Sequence, residues 1–214
     1  MRVKICGITQ IDQGQTIVEL GADSIGFICV EKSPRYVTPD RIRAIADALP
    51  PQTVKVGVFA NCEIAEIVSV LEAGHLSAIQ LHGAESPEFC TQLRGSIAPE
   101  IELIKAFRIK SRESLAETTA YTDVDTFLLD AYHPQMLGGS GHTIDWQDLT
   151  EFKPAVPWML AGGLTPENIK EALSRLQPDG IDLSSGVERA PGDKNLERVA
   201  QLFEAIKSLL SHET

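Results

Sequence analysis

The chain has 214 residues, of which 43% are hydrophobic, and a formal net charge of -11 at pH 7. This length and composition fit a single domain over residues 1–214 and exclude a disordered chain. The acidic balance argues against a nucleic-acid partner, because such binding depends on lysines and arginines that meet phosphates. No apolar run approaches the roughly 18 residues that span a bilayer, and the start shows no signal-peptide pattern, so we expect a cytosolic protein without a membrane partner.

Eight short apolar or β-branched runs recur along the chain, at residues 3–6, 24–30, 54–59, 78–81, 102–106, 126–130, 158–161 and 181–184. Their early members lie 22 to 31 residues apart, which is the length of one strand and one helix. Eight such units with right-handed crossovers close into a barrel, so the predicted fold is α/β, a single (β/α)₈ TIM barrel. A doubly wound open sheet is the alternative, but it needs only about five or six strands.

Helix start signals lie between these runs. Thr38-Pro39, Ser86-Pro87 and Thr165-Pro166 each place a capping residue before a proline, which predicts that the proline takes the first helical position. Asn61 is predicted to cap the helix after the third run. An apolar stripe predicts a last helix over about 195–210.

In (β/α)₈ barrels the active site lies at the carboxyl ends of the strands. The seventh and eighth runs end in two turns that read LAGGLTPEN and IDLSSGVE. Glycines expose backbone N–H groups, and a short helix after Ser185 would add its positive end. Tight turns are the alternative use of such glycines, but two of them on consecutive units favour a phosphate site at Gly162, Gly163, Ser184 and Ser185. Residues 138–141, Gly-Gly-Ser-Gly, are either a mobile flap or a flexible turn.

Asp130 ends the buried run TFLLD. A strand-end aspartate more often caps a helix or pairs with a cation, but the next helical pattern begins only at about Asp145, so a functional role is favoured. Alternation along a strand places Lys4 on the same face as Cys6. If Cys6 faces the barrel mouth, Lys4 is buried beneath it and needs an anion, for which we expect Asp182 of the neighbouring eighth run.

The four cysteines, Cys6, Cys29, Cys62 and Cys90, lie more than 20 positions apart and form no C-x-x-C pair. This spacing supports neither a zinc site nor a disulfide framework, so we expect free thiols and no metal. For Cys29, Cys62 and Cys90 a role as small hydrophobic residues is favoured.

Nine segments together resemble those of the phosphoribosylanthranilate isomerase family of tryptophan biosynthesis. In chain order they are KICGIT, GADSIGFI, SPRYVTP, VGVF, QLHG, LLDA, GGSG, LAGGL and SSGVE, and they span residues 2 to about 195. Pieces such as AGGL occur in many phosphate-binding barrels, whereas the set with KICG is specific.

The resemblance implies an Amadori rearrangement without a cofactor, in which N-(5-phosphoribosyl)anthranilate becomes 1-(2-carboxyphenylamino)-1-deoxyribulose 5-phosphate. It implies Cys6 as the general base and Asp130 as the general acid, while Arg35 meets the anthranilate part of the substrate. The two glycine turns would hold the phosphate. The expected partner is thus an anionic phosphosugar substrate, bound by a monomer or a homodimer.

Elementary chemistry agrees with these roles. A carboxylic acid that is held partly desolvated can keep its proton near neutral pH and give it to the sugar ring oxygen, and we expect Asp130 to have this role. Nearby cations or helix ends are expected to lower the pKa of the Cys6 thiol from about 8.5 and so make it a competent thiolate base. Gln80 and His82 end the fourth run, where ring contact and a locally hydrogen-bonded pair are equally good interpretations. They and Asp182 are further candidates for substrate contact.

Two rival functions remain. A histidine-pathway phosphoribosyl isomerase performs the same rearrangement on a larger substrate, but enzymes of that type resemble one another in an aspartate at the end of the first strand, where this chain has Cys6. A non-catalytic phosphate-binding barrel would keep the glycine turns but has no reason to hold both Cys6 and Asp130.

Overall fold

The computed structural model describes residues 1–131 and 146–210, without the side chain at position 210. Eight parallel strands close into a barrel in sequence order, which confirms the predicted fold. The strands are β1 (Arg2–Cys6), β2 (Ser24–Ile28), β3 (Val54–Phe59), β4 (Ala78–Leu81), β5 (Glu102–Ile109), β6 (Thr126–Ala131), β7 (Trp158–Leu160) and β8 (Gly180–Leu183). Each coincides with one of the eight apolar runs.

Helices surround the barrel: α1 (Ile11–Leu20), α2 (Pro39–Asp47), α3 (Ile64–Ala73), α4 (Pro87–Arg94), α5 (Ile169–Arg175) and α6 (Leu196–Leu210). Two 3₁₀ helices, Arg112–Ala120 and Trp146–Leu149, lie in the connections after β5 and β6. A third, Ser185–Val187, follows β8 and leads into a small antiparallel pair, β9 (Glu188–Ala190) and β10 (Asp193–Lys194). None of the helices in the described residues has the length and apolar character needed to span a bilayer.

The cap predictions had mixed outcomes. The hydroxyls of Thr38 and Ser86 accept hydrogen bonds from backbone N–H groups in the first turns of α2 and α4, as predicted. Thr165 instead caps a turn, in which its hydroxyl accepts from Glu167 N at 3.2 Å, and α5 begins only at Ile169.

The prediction that Asn61 caps α3 is wrong. Asn61 has a left-handed φ of 56°, and its Oδ1 accepts a hydrogen bond from Ala84 N at 2.8 Å, in the loop after β4. A bond to a neighbouring loop thus replaces the local cap, and Glu63 occupies the cap position without a side-chain hydrogen bond.

The apolar core forms two layers. The larger lies between the strands and the surrounding helices. The smaller fills the barrel interior and consists of Val56, Ala78, Ile104, Ala106, Leu128, Met159 and Ala161. Because this apolar layer fills the barrel interior, polar side chains closer to the carboxyl ends of the strands lie in a pocket whose floor is apolar.

Barrel closure joins the first strand to the last. β1 pairs with β8 in a register that places Lys4 opposite Asp182, and with β2 in a register that places Cys6 opposite Gly26. Residues 178 positions apart in the chain therefore become neighbours at the pocket.

Candidate active site

A cavity of about 340 Å³ opens at the carboxyl ends of the strands. Its walls include residues of β1, β2, β3, β4, β6 and β8 and of the loops after β2, β7 and β8. All ten predicted site residues line it, namely Cys6, Arg35, Gln80, His82, Asp130, Gly162, Gly163, Asp182, Ser184 and Ser185. The predicted strand ends thus converge on one pocket, as the fold requires.

Cys6 ends β1 with its sulfur against the backbone of Gly26. A Cβ at Gly26 would lie 2.7 Å from Cys6 Sγ and 3.1 Å from Lys4 Nζ, so only glycine leaves room for both groups. Lys4 has no exposed surface, and its Nζ donates to Asp182 Oδ2 at 3.0 Å. The predicted position of Lys4 beneath Cys6 and its predicted pairing with Asp182 are both confirmed.

The charges around Cys6 oppose one another. Burial raises the pKa of the Cys6 thiol above its ordinary value, while the ammonium groups of Lys4 and Lys194 act in the opposite direction. The expectation that neighbouring cations lower this pKa overall is wrong, because desolvation of the thiolate outweighs them. Burial by itself lowers the pKa of Lys4, but Asp182 and Cys6 raise it by more than burial lowers it. The pKa is therefore raised overall, and Lys4 remains an ammonium group.

Three buried side chains form a hydrogen-bonded chain across the pocket wall. Gln80 Nε2 lies 2.8 Å from His82 Nδ1, and His82 Nε2 lies 3.2 Å from Asp130 Oδ2. Asp130 Oδ1 accepts from the backbone N of Ala131 at 2.9 Å. Gln80 and His82 are thus a locally hydrogen-bonded pair that also lines the pocket, and the pair continues to the carboxyl group of Asp130.

Arg35 is buried in the wall and paired with Glu188. Its Nε and Nη2 donate to the Glu188 carboxylate at 3.0 and 2.7 Å, and Lys194 Nζ donates to the same carboxylate at 2.7 Å. Burial of Glu188 opposes its ionisation, yet Arg35 and Lys194 together lower its pKa. Glu188 and Lys194 are not among the site residues predicted from the sequence, in which the glutamate that ends SSGVE was the available signal.

The two glycine turns pack tightly against neighbouring backbone. Gly162 and Gly163 have φ values of 83° and 65°, and a Cβ at Gly162 would lie 2.4 Å from Ala131 N. A Cβ at Gly186 would lie 1.9 Å from Leu164 O, so the turn after β8 is in contact with the turn after β7. Lys194 Nζ lies 3.4 Å from Ser184 Oγ, which places a buried cation beside these turns.

The remaining predictions concern the flap and the other thiols. The Gly-Gly-Ser-Gly segment at 138–141 lies outside the described residues. All four cysteines are free, as predicted. Burial raises the pKa of Cys29 to about 12 and that of Cys90 to about 11, which suits thiols that serve only in packing.

The closed barrel and its polar pocket at the carboxyl ends of the strands place the protein in the class of (β/α)₈-barrel enzymes. The family model described as N-(5'-phosphoribosyl)anthranilate (PRA) isomerase matches residues 3–205. The chain belongs to this family, and the resemblance drawn from its nine sequence segments is confirmed.

Individual relatives are similar in sequence and structure to this chain over almost its whole length. The N-(5'-phosphoribosyl)anthranilate isomerase of Rippkaea orientalis is 57% identical over 212 residues, which cover 99% of this chain and 98% of the relative. A crystal structure of the phosphoribosyl anthranilate isomerase from Thermotoga maritima superposes with a TM-score of 0.88 at 36% identity, over 97% of this chain and 99% of that one.

A further solved structure of such an isomerase holds a ligand, reduced 1-(o-carboxyphenylamino)-1-deoxyribulose 5-phosphate. It has a TM-score of 0.84 and 34% identity, over 97% of this chain and 99% of that one.

Proposed function

We propose that the protein converts N-(5'-phosphoribosyl)anthranilate into 1-(2-carboxyphenylamino)-1-deoxyribulose 5-phosphate in tryptophan biosynthesis. The observation that carries this proposal is the presence of Cys6 and Asp130 on the walls of one pocket in a chain of this family. The reaction is an intramolecular oxidoreduction, since C2' is oxidised to a ketone while C1' is reduced to an aminomethylene carbon. A biosynthetic role of this kind belongs in the cytosol.

The first step opens the sugar ring, and Asp130 acts as the general acid. Its carboxyl group gives a proton to the ring oxygen, the bond from that oxygen to C1' breaks, and the lone pair of the substrate nitrogen forms a C1'–N double bond. The product of this step is a protonated imine. It draws electrons from C2', so the substrate nitrogen does the work for which other enzymes bind a cofactor.

The second step removes the proton from C2', and Cys6 acts as the base in its thiolate form. The electrons of the broken C–H bond neutralise the imine nitrogen and leave an enolamine. The enol hydroxyl then loses its proton while C1' gains one, which yields the ketone. Burial disfavours the thiolate, but Lys4, Lys194 and the positive charge that develops on the substrate favour it.

The far ends of the substrate carry its negative charges. The turns at Gly162 to Gly163 and Ser184 to Ser185 present backbone N–H groups for the phosphate, with Lys194 nearby as a counter-charge. Glu188 occupies Nε and Nη2 of Arg35, so we infer that the Nη1 side of this guanidinium meets the anthranilate carboxylate. Glu188 thereby fixes the direction in which Arg35 can bind.

A continuous fluorescence assay tests the proposed function. Phosphoribosylanthranilate is generated in place from anthranilate, and its emission is followed with and without the protein. We expect rapid loss of the emission with the wild-type protein and slow loss with Cys6→Ser. Phosphosugar binding without turnover by the wild-type protein would instead support the non-catalytic phosphate-binding barrel.

A further inference from the structure

Gln80 is a buried polar residue to which the steps above assign no role. Only 1% of its surface is exposed, and its Nε2 lies 2.8 Å from His82 Nδ1. Its other amide atom, Oε1, is buried and has no hydrogen-bond partner among the described residues. A buried carboxamide whose oxygen has no hydrogen-bond partner costs free energy. The presence of Gln80 at this position, in contact with His82, therefore needs an explanation.

The amide orientation determines the tautomer of His82. A neutral imidazole carries one N–H, and its other nitrogen accepts. Because Gln80 directs its NH₂ group at Nδ1, the hydrogen of His82 lies on Nε2 and points at Asp130 Oδ2, 3.2 Å away. The reversed amide would leave both N–H donors of the carboxamide unpaired, in place of one N–H and the carbonyl oxygen, and buried orphan donors are the rarer case.

The tautomer decides where the proton of Asp130 can lie. If His82 Nε2 were bare, a protonated Asp130 would donate its hydrogen to that nitrogen and away from the substrate. With a hydrogen on Nε2, the imidazole cannot accept, and Ala131 N already donates to Oδ1. The acid proton is then left on the side of the carboxyl group that faces the pocket.

We propose that Gln80 is a positioning residue of the isomerisation, whose carboxamide holds His82 in the Nε2–H tautomer so that the proton of Asp130 stays available to the substrate. This inference rests on the proposed function, in which Asp130 is the general acid. Gln80 itself lies two residues from His82 on the same strand and acts only through it.

The other ionisable groups near Asp130 come from strands other than β4, which carries Gln80. Asp182 lies on β8, and its pKa is affected by the charges of Asp130 and His82. Cys6 lies on β1, and Arg108 on β5 is the residue opposite Asp130 in the register of β5 and β6. Substitutions at Gln80 alter none of these residues, so a change in the His82 tautomer reports on the amide.

The direct test is long-range ¹H–¹⁵N NMR of the imidazoles in protein labelled at histidine. The chain has 5 histidines, and the His82 signal is assigned by its loss in His82→Asn. We expect the Nε2–H tautomer in the wild-type protein. In Gln80→Met, which can neither donate nor accept strongly, we expect a mixture of tautomers, and in Gln80→Glu, an acceptor only, we expect a hydrogen on Nδ1.

The kinetic test compares the same two variants. Gln80→Met should lower kcat about 10-fold, a fraction of what a general acid contributes, with KM changed less than about twofold. Gln80→Glu is closer in shape to the wild type, yet it should lower kcat more, by about 100-fold. With the hydrogen on Nδ1, the bare Nε2 of His82 would accept the acid proton of Asp130 in place of the substrate. Gln52→Met, at an exposed position, is the matched control and should be as active as the wild type.

Several results would overturn the inference. They are an Nδ1–H tautomer in the wild-type protein, an unchanged tautomer in both variants, or a smaller loss of kcat in Gln80→Glu than in Gln80→Met. The NMR measurement needs no substrate. An inactive wild-type protein would therefore refute the proposed function, whereas an active one with an unresponsive His82 tautomer would refute the role of Gln80 alone.

Discussion

Cys6 and Asp130 lie on separate strands of the barrel, β1 and β6, and reach the same pocket in different electrostatic surroundings. Asp130 is hydrogen-bonded to His82 and accepts a hydrogen bond from the backbone N of Ala131. Cys6 lies beside the Lys4 ammonium group of the same strand and against Gly26 of β2. The proposed acid and the proposed base thus line one pocket but contact different neighbouring groups.

Removal of either proton-transfer group should mainly affect the chemical step. We expect Cys6→Ser and Asp130→Asn each to lower kcat by about 100-fold or more, because a general acid or base contributes about 10²- to 10⁴-fold. KM should change little, since neither group is proposed to hold the charged ends of the substrate. Steady-state kinetics decide the matter, and near-normal turnover by either variant would defeat its assignment.

The pH dependence follows from the raised pKa of Cys6. A base must be deprotonated to act, and burial raises the Cys6 pKa above its ordinary value, so kcat/KM should still rise with pH above the ordinary pKa of a thiol. Lys4→Met removes an ammonium group that favours the thiolate, so its rising limb should lie at higher pH than that of the wild type. A limb that is unchanged, or that moves to lower pH, would show that Lys4 does not act on Cys6.

At the scale of elements, a buried ion pair outside the barrel holds the loop that follows β4. Lys105 of β5 donates from Nζ to Glu85 Oε2 at 3.1 Å and to the backbone oxygen of Gly83 at 3.0 Å. The Glu85 carboxylate also accepts from the backbone N of Gly83 at 3.0 Å. Since His82 immediately precedes this loop, the ion pair fixes the chain next to the site.

Loss of one partner of this ion pair should destabilise the protein. Lys105→Met leaves the Glu85 carboxylate buried without its cation, at an expected cost of about 3 kcal/mol in the free energy of unfolding. The double variant Lys105→Met/Glu85→Gln removes both charges and should recover part of that loss. Urea denaturation followed by circular dichroism measures both, and equal stability of the single and double variants would contradict the argument.

At the scale of the whole molecule, closure of the barrel joins the two glycine turns to the first strand. A Cβ at Gly7, after β1, would lie 3.2 Å from Ser184 Oγ and 3.6 Å from Lys194 Nζ. The proposed phosphate site therefore draws on both ends of the chain. A ligand bound there should stabilise the complete barrel, because it binds only the folded state.

Inorganic phosphate provides a test of that site. We expect it to compete with the substrate and to raise Tm, by the equivalent of about 2.7 kcal/mol when its concentration is 100 times its Kd. In Gly162→Ala the added Cβ meets Ala131 N, so the phosphate-induced shift in Tm should be smaller than in the wild type. Chloride at equal ionic strength is the control, and absence of competition at high millimolar phosphate would count against the site.

Local sequence patterns determined the eight strands, the caps of α2 and α4, and the polar residues at the strand ends. Strand alternation and capping depend on residues a few positions apart, so they can be recognised without a structure. The pairing of Lys4 with Asp182 was also predictable, because barrel closure makes the first and last strands neighbours.

Only the tertiary structure decided three features of the site. The first is the ion pair between Glu188 and Arg35. The second is the hydrogen-bonded chain from Gln80 through His82 to Asp130. The third is the pKa of Cys6, on which burial has a larger effect than the neighbouring cations. Each depends on contacts between side chains that are distant in the chain, or on the extent to which water is excluded. Desolvation is a property of the assembled pocket, and for this reason the protonation of Cys6 could not be predicted from its neighbours in the sequence.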